Sequence, residues 1–136
     1  MDNSRKFIFS ITDLNLNFNQ LNTDIPISPI KIIQRGQLIG KLKKIKAPYD
    51  IWSYEIIITD NDDIISYLSE LLDKLLPYAK CIQEASKQYE RSAISCYIRS
   101  EFGQMGFHIN NEIIIKLASL GLDIDFHILS FGGVKN

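Results

Sequence analysis

The chain has 136 residues, 46% of them hydrophobic and 23% charged, with a formal net charge of −1 and a pI of about 6.1. That composition excludes a disordered chain and fits one folded domain with a sizeable core, spanning residues 1–136 with an ordered part from about 5 to 131. It also argues against a dedicated nucleic-acid binder, whose domain is as a rule clearly basic. The opening MDNSRKFIFSITD holds only a short apolar patch, broken by Ser10, Thr12 and Asp13. Neither a signal peptide nor a membrane span is expected from it. Cys81 and Cys96 lack CxxC spacing and read as ordinary thiols of a reducing compartment, so a cytoplasmic location is expected. Ile, Lys and Asn supply about a third of the chain. Their A/T-rich codons point to a low-GC, bacterial genome.

Phe7, Phe9 and Ile11 alternate with Ile8, Ser10 and Thr12, as a half-buried strand requires. The alternation runs on through Leu14, Leu16 and Phe18 against Asn15, Asn17 and Asn19, and reads as a prolonged strand or ribbon. Pro26 and Pro29 punctuate the chain before a second strand around Ile30 to Gln34. Arg35-Gly36 and Gly40 bracket a turn, Lys41 to Ala47 is a basic exposed connection, and Pro48-Tyr49-Asp50 redirects the chain. Ile51 to Ile58 is an aromatic strand that holds Trp52, the single tryptophan.

A long amphipathic helix follows over about 62–89, with Ile64, Leu68, Leu71, Leu75, Ile82 and Ala85 on one face. The polar run Asp60-Asn61-Asp62-Asp63 suits its N-terminus, and Pro77 is expected to kink or break it. Ala93 to Ser100 alternates again, Gly103 and Gly106 make a turn, and Phe107 to Ile109 reads as a short returning strand. Asn110 or Asn111 caps a second helix, Glu112 to Leu120, which Gly121 stops. Leu122 to Phe131 is the last strand, with Leu122, Ile124, Phe126 and Ile128 inward, ahead of a frayed tail from Gly132-Gly133. The order predicts an α+β fold: an antiparallel sheet with one long and one short helix packed on one face.

Asp123, Asp125 and His127 share one face of the last strand, and carboxylates with an imidazole at that spacing suit a metal or acid–base chemistry. The same positions are also the polar side of any amphipathic strand. Gly36 to Leu42 is one residue short of a phosphate loop and has no Ser or Thr after Lys41. Neither cysteine has a neighbouring histidine, and Trp52 reads as core rather than as a binding anchor. Catalytic residues, a cofactor and a metal are therefore all expected to be absent. A contact surface is expected on the loops Gln37 to Asp50 and Glu101 to Met105. Lys41, Lys43, Lys44 and Lys46 would supply electrostatic capture, with Tyr49, Asp50, Glu101 and Gln104 beside them.

The order of motifs, Ile27-x-Pro29, Arg35-Gly36, Trp52-Ser53, the long helix, Gly106-Phe107-His108-Ile109, Leu117-x-x-Leu120-Gly121 and the Asp125 strand, resembles the bacterial family called domain of unknown function 4279. The resemblance covers about residues 5 to 130. It implies a compact α+β domain without an assigned reaction, and a helix-like stretch before Pro29 where these residues show an Asn-rich alternation. It also implies a second acidic residue where His127 stands. Family members look like small cytosolic accessory proteins, and some resemble immunity proteins encoded beside secreted toxins. The expected function is accordingly a non-catalytic domain that binds a protein partner, most concretely a cognate toxin, with no nucleic acid or membrane involved. A small enzyme or metal-binding domain built on the Asp123, Asp125 and His127 face is the alternative.

Overall fold

The strand alternation around Phe9 sets the centre of the sheet. The computed structural model describes residues 5–59, 63–100 and 106–130. The chain runs β1 (Lys6–Asp13), α1 (Phe18–Asp24), β2 (Lys31–Ile33), β3 (Leu38–Ile39), β4 (Ile45–Lys46) and β5 (Asp50–Ile57). It continues through α2 (Ile64–Leu75), a 3-10 turn at Leu76–Tyr78, α3 (Ala79–Gln88), β6 (Arg91–Ser100), α4 (Asn111–Leu120) and β7 (Asp123–Ser130). Five strands form one sheet in the order β2-β5-β1-β6-β7, and β3 pairs with β4 in a separate two-stranded sheet.

β1 lies antiparallel between β5 and β6, which places Phe9 opposite Tyr54 on one side and Ile94 on the other. Every strand residue in the hydrophobic core shares the parity of Phe9: Phe7, Ile11, Trp52, Tyr54, Ile94, Cys96 and Ile98. The helices therefore cover a single face, as expected. They meet it with Leu68, Leu71, Leu72 and Leu75 of α2, Ile82 and Ala85 of α3, and Ile113, Leu117 and Leu120 of α4. The opposite face, with Ile8, Ser10, Ser53, Glu55, Ser95 and Tyr97, carries no helix among the described residues.

Pro77 interrupts the long helix as predicted, and one long element becomes α2, the 3-10 turn and α3. The missing proline N–H removes a helical hydrogen bond and its ring clashes with the preceding turn. Asp63 occupies the N-cap position of α2, but its side chain makes no capping bond. With α4 there are thus, among the described residues, three helices of ten or more residues rather than one long and one short. Asn110 caps α4 by accepting from the Ile113 N–H, and Gly121 ends it in the left-handed region at φ 68°. These are the two capping roles read from the sequence.

Four expectations are corrected. β7 pairs parallel with β6, not antiparallel, because α4 forms the crossover that a parallel neighbour needs. The Asn-rich stretch is not a prolonged strand: from Phe18 it is helix α1, with Asn17 as N-cap accepting from the Gln20 N–H. Phe18, Leu21 and Ile25 follow helical spacing, and Leu21 and Ile25 are buried. Phe107 to Ile109 forms no strand, although Phe107 packs on Phe126 with ring centroids 5.0 Å apart. Finally, Lys41 to Ala47 is not a plain connection but the tip and returning strand of a small hairpin.

Candidate functional site

The β3–β4 hairpin is built by backbone geometry that its glycines permit. Gly36 and Gly40 stand at φ 89° and 87° with open space where a Cβ would go, so conformation and not crowding calls for glycine there. Gly36 N–H donates to the Ala47 carbonyl at 2.8 Å, and Ala47 N–H donates to the Gln37 carbonyl at 2.7 Å. These bonds close the base of the hairpin, and Ala47 beneath it is buried. Lys41, Lys43, Lys44 and Lys46 are all exposed on it. The same segment carries Leu38, Leu42 and Ile45, exposed by 47%, 76% and 64%. A small hairpin that holds three aliphatic side chains in water among four ammonium groups has the make-up of a contact surface.

Tyr49 and Asp50, expected beside the lysines, are half-buried at the return into β5. The Asp50 carboxylate is already engaged, accepting the Arg35 N–H at 2.7 Å and the Leu16 N–H at 3.0 Å. The Arg35 amide above all, and then the Leu16 amide, hold this carboxyl below the usual aspartate range. Asp50 thus anchors the start of the loop. Glu101 and Gln104, the other expected contact residues, lie outside the described residues.

A cleft of about 780 Å³ opens beside α1. Its polar lining comes from Asn15, Asn17, Asn19 and Asn22 with Gln34 and Gln88, and Phe18 and Tyr89 add rings. The Asn22 Oδ1 is taken by the Trp52 indole N–H at 2.8 Å, and the Tyr89 hydroxyl accepts the Asn17 N–H at 3.2 Å. Sequence reasoning missed this cleft because it took the asparagines for a strand face. The Phe18, Leu21, Ile25 spacing behind Asn17 was the available signal.

The Asp123, Asp125 and His127 side chains do share the open face of β7, in register with Ala93, Ser95 and Tyr97 of β6. Asp125 pairs with the Arg91 guanidinium. His127 stacks on Tyr97 with ring centroids 4.6 Å apart and planes 10° from parallel. Among the described residues no three His, Cys, Asp or Glu side chains gather as a metal-holding group. Cys96 is fully buried, and burial pushes its thiol up to about 12, far from any thiolate at neutral pH. Trp52 is fully buried and meets Phe9 edge to face at 6.0 Å, as the core reading expected.

No described helix is long and apolar enough to cross a membrane. No curated protein and no solved structure matches the chain. The family described as domain of unknown function (DUF4279) matches residues 3–131. That span includes β1 and β7, the hairpin and both capped ends of α4, so the chain belongs to this family.

Proposed function

We propose that this chain is a non-catalytic protein-binding domain that neutralises a bacterial toxin domain, presenting the β3–β4 hairpin to an acidic face of that partner. The observation that carries the reading is the hairpin itself. Its four lysines lie in the same short segment as Leu38, Leu42 and Ile45, three aliphatic residues at least 47% exposed, with Lys46 directly across from Leu38. Lysines on a rim steer an acidic partner and set its orientation, while desolvated aliphatic anchors contribute the affinity. Gly36, Gln37 and Ala47 close the hairpin base and the Asp50 carboxylate at the start of β5 holds the Arg35 amide, so part of the ordering is in place before binding. Two of the three groups that carried the enzymatic alternative, Asp123, Asp125 and His127, already have structural partners: Asp125 with Arg91 and His127 with Tyr97. The toxin as partner rests on the resemblance of some family members to immunity proteins.

The test uses the purified polypeptide encoded by the adjacent gene. Calorimetry should show a complex that weakens steeply with salt and is lost when the four hairpin lysines become glutamates. Expression of that polypeptide should arrest cells lacking this chain, and co-expression of the wild-type chain should restore growth. A neighbour that neither binds nor harms cells removes the toxin reading. Binding that is indifferent to the four lysines removes the hairpin as its site.

A further inference from the structure

The two edges of the five-stranded sheet are protected very differently. At one edge β2 is three residues long, follows Pro29 closely and begins with Lys31. Short length, proline and lysine are the devices by which proteins stop an edge from recruiting another strand. At the other edge β7 runs for eight residues, Asp123–Ser130, with no proline, glycine or lysine among them. Among the described residues no strand pairs with its outer side. The helical layer also ends before the edge does. Ile98 and Ile128 are register partners, yet Ile98 is 1% exposed and Ile128 47%. Leu129 beside it is 57% exposed.

We propose that β7 pairs antiparallel with β7 of a second copy of this chain, centred on Phe126, joining two five-stranded sheets into one. The pattern of β7 selects both the occupant and the register. Pairing about Phe126 sets Ile124 opposite Ile128 of the second copy, and Phe126 opposite its own equivalent. All of these lie on the core face, where Ile128 is otherwise exposed. On the open face the same register sets Asp125 opposite His127 of the second copy, a carboxylate beside an imidazole. Centring on Asp125 instead opposes two like carboxylates and leaves Leu129 without a strand opposite, which is unfavourable. Centring on His127 sets Ile124 against Ser130 and Asp125 against Leu129. The Phe126 register matches apolar with apolar across the core face and sets two acid–imidazole pairs on the open face with no like charges opposed, leaving Asp123 opposite Leu129 only at its two ends. Tyr97 already holds the His127 ring by stacking, and Arg91 already holds Asp125, so both groups are set before the copies meet.

Sedimentation equilibrium over a wide concentration range tests the association. The mass should rise from 15.6 kDa towards twice that value. Ile128→Lys, at an exposed position, should return it to the monomer with an unchanged far-ultraviolet spectrum. The register is tested separately by mixing two proteins, Asp125→Cys and His127→Cys, each in a Cys81→Ser background. Directly opposite residues of an antiparallel pair have Cα atoms about 4.5–5.5 Å apart, within disulfide range. The mixture should oxidise to a heterodimer while neither protein alone cross-links. If Ile128→Lys does not fold, this mixed disulfide decides alone. A wild-type protein that stays monomeric at every concentration overturns the proposal. So does a dimer that gives no mixed disulfide, or one that survives Ile128→Lys.

Discussion

Asp13 and Asp50 face each other as register partners at the shared end of β1 and β5. Together their carboxylates accept five backbone N–H groups. Leu14, Asn15 and Glu90 donate to Asp13, and Leu16 and Arg35 donate to Asp50. Two like charges opposed across strands repel. Amide dipoles from three separate stretches of chain offset that repulsion and draw the loop before α1, the turn before β3 and the end of α3 onto the sheet.

This predicts an acid limb to the stability. The Asp50 carboxyl titrates below its ordinary value in the fold, chiefly through the Arg35 amide. Its contribution is therefore complete above the unfolded value, about 3.9, and is lost as pH falls through the folded one. Asp50→Asn should lower the melting temperature at neutral pH, and the gap to wild type should narrow once pH drops below about 4. Chemical denaturation across that range measures it. A gap that stays constant into strong acid contradicts the assignment.

Trp52 is expected to be the costliest single truncation. Replacing a fully buried tryptophan by alanine should destabilise the fold by about 3–5 kcal/mol. Asn22→Ala should cost about 1 kcal/mol, because it leaves the indole N–H without its acceptor. Urea titration of both variants checks the order. A Trp52→Ala protein as stable as wild type contradicts the core placement.

The hairpin lysines should be nearly silent for folding. Each of Lys41, Lys43, Lys44 and Lys46 is exposed, so charge reversal should move stability by no more than about 0.5 kcal/mol per site. Leu42→Asp should likewise leave the melting temperature unchanged, since Leu42 is 76% exposed. Thermal melts of these variants are the check, and a large loss would mean that the hairpin is part of the core.

Thiol chemistry should divide the cysteines. Cys96 is fully buried with its thiol pushed up to about 12, whereas Cys81 is partly exposed on α3. Native protein should react with Ellman's reagent at Cys81 alone, and denatured protein at both residues. Cys81→Ser should abolish the native reaction. Rapid native modification of Cys96 would contradict its burial.

Where one residue's neighbours along the chain decide its state, the sequence was enough. The Pro77 break, the Asn110 cap, the Gly121 stop and the core face of β1 and β5 all follow from spacing alone. The misreadings came where two periods overlap or where a distant strand decides. Leu14, Leu16 and Phe18 satisfy a strand period until Leu21 and Ile25, four residues apart, convert the stretch to helix. Parallel pairing of β7 depends on where α4 packs, which no local pattern of β7 encodes. The shared face of Asp123, Asp125 and His127 was legible, but their partners Arg91 and Tyr97 sit on another strand and were not. The lysines of the hairpin were legible as a basic stretch. The exposure of Leu38, Leu42 and Ile45 among them was not, since apolar residues are read as core by default.

The hairpin has a sheet of its own, closed at its base by the bonds among Gly36, Gln37 and Ala47. A segment closed in that way can change at its tip without disturbing the packing under Trp52. Lengthening such a loop costs only a slowly growing closure entropy, and surface substitutions on it are close to neutral. Two chains of this family could therefore share an unaltered scaffold and differ completely between Leu38 and Lys46. Selection on what the tip meets would act there almost independently of selection on folding, so the hairpin is free to diverge while the packing under Trp52 stays fixed.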